Sequence, residues 1–280
     1  MAAFECRLPR LNKKVKKALM KAVILAGGKG TRLAEETSTR PKPMVEIGGM
    51  PILWHIMKHY AECGVDEFIV CLGHKGPFIK QWFMNHRIYG SDLEVDLRND
   101  EVKILSKVSE PWRVILAETG EDSLTATRLS KIKKYLDPGE AFCMTYGDGV
   151  GDIDIRAQLA AHREAKILHG RLATVTVVSP PGRFGAVETS GELATAFVEK
   201  PSGDGQKINA GFFVIEPEAL GFIPEEDCMW EEKPLKTLAA QGRLGVWRHE
   251  GFWQPMDTLR DKNKLEDLWS KGEAPWKTWS

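Results

Sequence analysis

The chain has 280 residues, and its 39 basic side chains are matched by 39 acidic ones. That balance speaks against a protein that coats nucleic acid, and no apolar run has the length of a helix that crosses a bilayer, so neither a nucleic acid nor a membrane is expected as partner. The five cysteines (Cys6, Cys63, Cys71, Cys143, Cys228) are odd in number and contain no Cys-x-x-Cys pair, so neither a zinc site nor a disulfide frame is expected, and a reducing cytoplasmic location is the default.

Residues 1–19 set Arg7, Arg10, Lys13, Lys14, Lys16 and Lys17 against Glu5 alone. They read as a basic, disordered leader, or as the product of a start codon upstream of Met20. A targeting role is the alternative, although the apolar core of a signal peptide is missing. From Met20 onward strands and helices alternate. Ala22-Val-Ile-Leu-Ala is a buried strand that breaks at Gly27-Gly28-Lys29-Gly30. Apolar residues at Ile52, Leu53, Ile56, Met57 and Tyr60 mark a helix that Gly64 stops. Phe68 to Leu72 is a second buried strand, and Phe78, Ile79, Trp82 and Phe83 mark the next helix. Leu93 to Leu97 and Val102 to Leu105 form a strand pair joined near Asn99-Asp100, and Val114 to Glu118 is a further strand. A basic-faced helix is predicted over Thr125 to Leu136, then a strand over Ala141 to Tyr146 that stops at Gly147-Asp148-Gly149. The second half holds a core strand from Ala173, a hairpin turning at Ser190-Gly191, a strand from Gly211, a helix over Trp230 to Ala240, a strand from Leu244, and a closing helix over Asp257 to Ser270. This order predicts one α/β domain over 20–280, a mostly parallel, doubly wound, Rossmann-like sheet with antiparallel elements added at roughly 180–256.

A short apolar strand that ends in glycines delivers backbone amides to a ligand, because glycine places no Cβ between a phosphate and the N–H groups. The loop lacks the Lys-Ser/Thr ending of a Walker P-loop, and Leu33 stands where the dinucleotide fingerprint needs its third glycine. Arg32 and Lys42 supply the cations that a polyphosphate requires. Asp148 and Asp257 each follow a candidate strand end, and two such carboxylates suit Mg²⁺, which takes its remaining ligands from phosphate and water. Each residue has a plainer reading. Asp148 fits a turn, and Asp257 fits a helix N-cap. Arg32 can pair with Glu35 or Glu36, Lys42 can be a loop lysine, Glu199-Lys200 an edge pair, and Arg128 part of a solvated face with Lys131. The tryptophans belong to the core, with Trp253, beside Asp257, the exception as a ligand platform.

Lys21-Ala-Val-Ile-Leu-Ala-Gly-Gly-Lys-Gly-Thr-Arg-Leu, with Pro41-Lys-Pro-Met, resembles the signature of the sugar-1-phosphate nucleotidyltransferases. Met44-Val-Glu-Ile-Gly-Gly, Glu110-Pro-Trp, Tyr146-Gly-Asp-Gly-Val, Pro180-Pro-Gly-Arg-Phe-Gly-Ala, Gly251-Phe-Trp-Gln-Pro-Met-Asp and Ala274-Pro-Trp-Lys-Thr-Trp are similar to the branch that joins CTP to glucose 1-phosphate. The resemblance runs from Met20 to the C-terminus. The sequence departs from it in the leader, at Lys29, and in Ala126-Thr127 before Arg128. It implies transfer of a cytidylyl group from CTP to α-D-glucose 1-phosphate, giving CDP-glucose and pyrophosphate. It implies Mg²⁺ on Asp148 and Asp257, and catalytic roles for Arg32, Lys42 and Lys200. Nucleotide contacts are implied at Leu25, Ala26, Gly27, Gly28, Lys29, Gly30, Thr31, Arg32, Lys42, Ser123, Arg128 and Gly147, and sugar contacts at Gly185, Glu199, Lys200 and Asn209. It further implies a homo-oligomer, a trimer or hexamer, and a product used for cell-surface polysaccharide such as lipopolysaccharide. The rival readings are a thymidylyl- or uridylyltransferase, a regulatory protein that binds nucleotide sugars without turnover, and a metal-free scaffold.

Overall fold

The computed structural model describes residues 20–106, 110–179, 186–190, 193–198 and 207–279. In chain order the strands and helices are β1 (Lys21–Leu25), α1 (Ala34–Thr37), β2 (Glu46–Ile47), β3 (Met50–Pro51), α2 (Ile52–Glu62), β4 (Glu67–Leu72), α3 (Gly76–Tyr89), β5 (Leu93–Asp96), β6 (Glu101–Ile104) and β7 (Arg113–Glu118). They continue with α4 (Thr125–Lys131), β8 (Phe142–Tyr146), β9 (Gly149–Gly151), α5 (Ile155–His169), β10 (Ala173–Val178), β11 (Ala186–Ser190), β12 (Leu193–Val198) and β13 (Ile208–Ile215). The last are α6 (Lys233–Ala240), β14 (Leu244–Arg248), β15 (Trp253–Pro255) and α7 (Leu259–Ser270).

Seven strands form the central sheet in the order β14-β10-β13-β8-β1-β4-β7. β8, β1, β4 and β7 run parallel, as do β10 and β14, while β13 runs antiparallel to both of its neighbours. The expected α/β sheet with antiparallel additions is therefore what forms. Alternation along β1 feeds two cores, as period-two side chains require. Ala22 and Ile24 pack with Ile56, Tyr60 and Leu265, on the face that carries α2 and α7. Val23 and Leu25 pack with Leu129, Trp230 and Leu238, on the face that carries α4 and α6. Because the central strands are parallel, Gly27 after β1, Gly73 after β4, Thr119 after β7 and Gly147 after β8 all reach one rim.

Three helices are shorter than the sequence suggests. Buried Ile132 leaves helical geometry at φ −97°, ψ 0°, so α4 ends at Lys131 and a 3-10 turn over Lys133–Tyr135 follows. Trp230 is wholly buried, and α6 starts only at Lys233, with Pro234 in its first turn where a missing N–H costs nothing. Asp257 does not cap the last helix. Thr258 does, accepting from the Asp261 amide while the Asp261 carboxylate accepts from the Thr258 amide, a reciprocal capping box. The β5–β6 pair forms as read, with Asp100 at φ +56° in its turn. The predicted hairpin is β11–β12, although Gly191, the leader 1–19 and the 180–185 block lie outside the described residues.

Away from the rim, the C-terminal tail closes against α2. Trp276 is fully buried and stacks on Trp269 and Phe252. Its indole N–H donates to His55 Nδ1 at 3.4 Å, which leaves His55 Nε2–H to donate to the Ile47 carbonyl at 2.8 Å. Burial pushes the His55 pKa down to about 4, so the ring is neutral at pH 7. One turn further along α2, His59 is also depressed by burial and meets Ile153 O and Thr278 Oγ1. Among the described residues no helix is long and apolar enough to cross a membrane.

Candidate active site

After β1 the chain crosses the rim as Gly27-Gly28, with Gly28 facing open space. Gly30 takes a left-handed φ of +64°, which an L side chain would strain, and its carbonyl accepts from Thr37 Oγ1 at 3.0 Å. That turn points Arg32 back along the rim. Lys42 follows in a 3-10 turn between Pro41 and Pro43, where two fixed φ angles leave it little freedom. Its side chain is nearly buried, and its Nζ donates to Asp148 Oδ2 and to Asp257 Oδ1, both at 2.7 Å.

The two aspartates meet through a short ribbon. β9 pairs antiparallel with β15, Gly149 opposite Pro255, and the Met256 amide donates to the Asp148 carbonyl at 2.7 Å. Asp148 stands just before β9 and Asp257 just after β15, so the closed end of the ribbon sets the two carboxylates side by side. Asp257 thus comes from this ribbon rather than from a main-sheet strand. Its backbone N–H donates to Asp261, which leaves its carboxylate free for the rim. Arg32 pairs with Asp257 at 2.8 Å and not with Glu35 or Glu36. Both carboxylates therefore converge on one point that a cation already occupies. Such a pair, open to phosphate oxygens and water, fits Mg²⁺. Among the described residues no cluster of three or more His, Cys, Asp or Glu forms a self-sufficient metal site.

Arg128 is almost entirely buried and not part of a solvated face. Nη1 donates to the Leu72 carbonyl, Thr119 Oγ1 and the Gly120 carbonyl, and Nη2 donates to the carbonyls of Gly27 and Glu121. One guanidinium thereby ties together the ends of β1, β4 and β7. A Cβ at Gly27 or Gly73 would overlap its terminal nitrogens, and at Gly73 it would also crowd the Gly27 carbonyl at 2.8 Å. Burial lowers the Arg128 pKa from its ordinary value, which still leaves the group charged at neutral pH.

Two cavities adjoin at this rim. One, of about 340 Å³, is lined by the glycine loop, Arg32, Lys42, Ser123, Thr125, Arg128, Tyr146, Gly147, Asp148 and Met229. The other, of about 290 Å³, is lined by Asn209, Trp253 and Asp257 together with Arg32, Tyr146 and Asp148. Of the nucleotide-side candidates, Leu25, Ala26, Gly27, Gly28, Gly30, Thr31, Arg32, Lys42, Ser123, Arg128 and Gly147 line the first cavity. Lys29 does not; it pairs with exposed Asp122 at 2.8 Å. Ser123 Oγ accepts from Lys131. Asn209 lines the second cavity, and its Oδ1 accepts from the Gly211 amide at 2.7 Å. Trp253 lines it too, its indole N–H donating to the Ala210 carbonyl. Gly185, Glu199 and Lys200 lie outside the described residues. Sequence reasoning missed Tyr146, Thr125, Pro43 and Met229 as cavity walls. Tyr146 carried a signal, as the polar end of an apolar strand directly before Gly-Asp-Gly, and so did Pro43, within the Pro41-Lys-Pro-Met block.

The ends of the parallel strands, together with the β9–β15 ribbon and the Lys42 turn, gather glycine amides, two cations and two carboxylates between twin cavities, a frame suited to a nucleotide-dependent transferase. The nucleotidyl transferase profile matches residues 21–241. Glucose-1-phosphate cytidylyltransferases of Salmonella typhi and Salmonella typhimurium are each 52% identical over 260 residues, covering 93% of this chain and 100% of theirs. The fold is shared with a UDP-glucose pyrophosphorylase solved with UDP-glucose, at a TM-score of 0.63 and 14% identity, covering 91% of this chain and 99% of that one. The chain belongs to the nucleotidyl transferase family, in its glucose-1-phosphate cytidylyltransferase branch.

Proposed function

We propose that the protein transfers a cytidylyl group from CTP to α-D-glucose 1-phosphate, releasing pyrophosphate and forming CDP-glucose. The observation that carries this reading is the wall shared by the two cavities, where Arg32 and Asp148 face both spaces with Lys42 and Asp257 beside them. The choice of CTP and glucose 1-phosphate is supported by the names of the relatives that match over their whole length.

The triphosphate lies along the glycine loop, with its α-phosphate at the shared wall. Glucose occupies the second cavity, with Asn209 and Trp253 against the ring. An oxygen of the sugar phosphate attacks the α-phosphorus of CTP, a new P–O bond forms, and the bond to the β-phosphate breaks on the opposite side. The nucleophile is already an anion, so no general base is required. The protein's work is to align two polyanions and neutralise their charge. Arg32 offers its forked guanidinium to the departing pyrophosphate. Lys42 moves from the two carboxylates to the α-phosphate oxygens. Asp148 and Asp257 hold Mg²⁺, which when bound offsets charge on the phosphate oxygens. Lys200 and Glu199 are assigned to the sugar phosphate and a glucose hydroxyl. A homo-oligomer working in the cytoplasm, with its product entering surface polysaccharide, completes the reading. The test is pyrophosphate release from glucose 1-phosphate, Mg²⁺ and CTP, dTTP, UTP or GTP in separate reactions. Release with CTP alone is the expected result. Release with dTTP or UTP instead moves the base assignment, and tight binding without release in any reaction makes the protein a regulatory binder.

A further inference from the structure

Two residues that wall the cavities are fastened by a third that faces neither. Tyr146 lines both cavities, and Thr125 lines only the glycine-loop one. Behind them one oxygen of the Glu231 carboxylate accepts from the Tyr146 hydroxyl, and the other accepts from Thr125 Oγ1 at 2.8 Å. Thr125 Oγ1 itself accepts from the Trp230 amide at 2.7 Å, and Glu231 is a nearer and stronger acceptor for its proton than Met229 Sδ at 3.9 Å. Hydrogen bonds to an ionised acceptor are the stronger kind, and here two hydroxyls share one carboxylate. The Tyr146 ring lies over Gly211, where a Cβ would overlap it and where φ is +81°. Phe213 meets it nearly edge-on, with centroids 6.4 Å apart at 87°.

We propose that Glu231 is a positioning residue, which holds Tyr146 as the wall common to both substrates and Thr125 as a wall of the nucleotide side. The inference rests on the nucleotidyl-transfer reading and adds to it a group that sets how the two substrates meet. A released Tyr146 ring would loosen both cavities at their shared boundary. Misalignment of two reactants across such a boundary is costly even when each still binds.

The test is steady-state pyrophosphate release with CTP and glucose 1-phosphate varied in turn, for wild type, Glu231→Ala, Tyr146→Phe, the double variant, Glu231→Gln and Thr125→Val. Glu231→Ala and Tyr146→Phe should each raise KM for both substrates and lower kcat, roughly tenfold in kcat/KM. The double variant should be no worse than the worse single one, because both remove the same bond. Glu231→Gln, whose amide oxygen still accepts, should recover part of the loss. Thr125→Val should raise KM for CTP alone. A purely structural Glu231 would lower the melting temperature with kcat and both KM values unchanged, and independent roles would give additive losses. Either result overturns the proposal. Should Glu231→Ala fail to fold, Tyr146→Phe and Thr125→Val carry the test, since each removes one of the two bonds to Glu231 and leaves the carboxylate in place. The wild-type rate with CTP reports on the reaction itself, and the variant-to-wild-type ratios report on the pair, so the two readings fail separately.

Discussion

The rim and the tail clasp use polar groups in opposite ways. At the rim, Lys42, Asp148, Asp257 and Arg32 neutralise one another beside two cavities, in contacts that the proposed reaction would have an incoming polyanion replace. At the clasp, His55 is kept uncharged by burial and spends both ring nitrogens on permanent partners. The difference separates residues held ready for exchange from residues committed to the fold. Changes at the rim should therefore alter rate more than stability, and changes at the clasp should do the reverse.

The sharpest way to break that contrast is Asp148→Asn. It keeps the side chain's size and removes one carboxylate from the rim, so kcat should fall by roughly 10³-fold with the melting temperature nearly unchanged. Near-normal turnover in Mg²⁺ would remove Asp148 from the chemistry. At the clasp, Trp276→Ala should destabilise the protein by about 4 kcal/mol in urea unfolding, as expected for a large aromatic deleted from a closed core. The folded fraction should retain the wild-type kcat, and a collapse of kcat without loss of stability would reverse the assignment.

The clasp also predicts a pH dependence. The folded-state pKa of His55 lies near 4, below the unfolded value of 6.5, so the unfolded chain takes up the proton first. Its contribution is complete above pH 6.5, declines as pH falls toward 4, and levels off below that. The loss amounts to about 3 kcal/mol across the window. Unfolding free energies measured between pH 7 and 4 should show this slope, and His55→Gln should reduce it, leaving the part that buried His59 supplies. An equal slope in both proteins would assign the titration elsewhere. The smallest effect is expected from Arg32→Lys, which retains the charge and loses the fork, for about a tenfold fall in kcat/KM. Unchanged kinetics would reduce Arg32 to a surface partner of Asp257.

Much of the sheet was legible because its strands are short, apolar and bounded by glycine. β1, β4 and β8 are read directly from Ala22 to Ala26, Phe68 to Leu72 and Ala141 to Tyr146. Helix starts were less legible. The Asp257-Thr258 pair offers two capping side chains, and the Asp261 carboxylate, three residues beyond Thr258, decides in favour of Thr258. At the site, the loop and the cations stood out through glycine and charge. The pairing of Lys42 with both aspartates did not, because it depends on a three-residue ribbon too short to leave a pattern. Arg128 looked like part of a basic surface because its acceptors are mostly backbone carbonyls, which no sequence displays. Glu231 was hidden for a related reason, since both hydroxyls it holds lie on distant segments.

The ribbon has a consequence for the life of the chain. The glycine loop, Lys42 and Asp148 are all translated well before β15 and α7, yet the second carboxylate arrives only with those late elements. A nascent or shortened polypeptide ending ahead of them would carry the strands and the loop but lack the partner acid. It would also lack Leu265, Trp276 and Trp279, which pack against α2, so the second acid and the closing of that core arrive together.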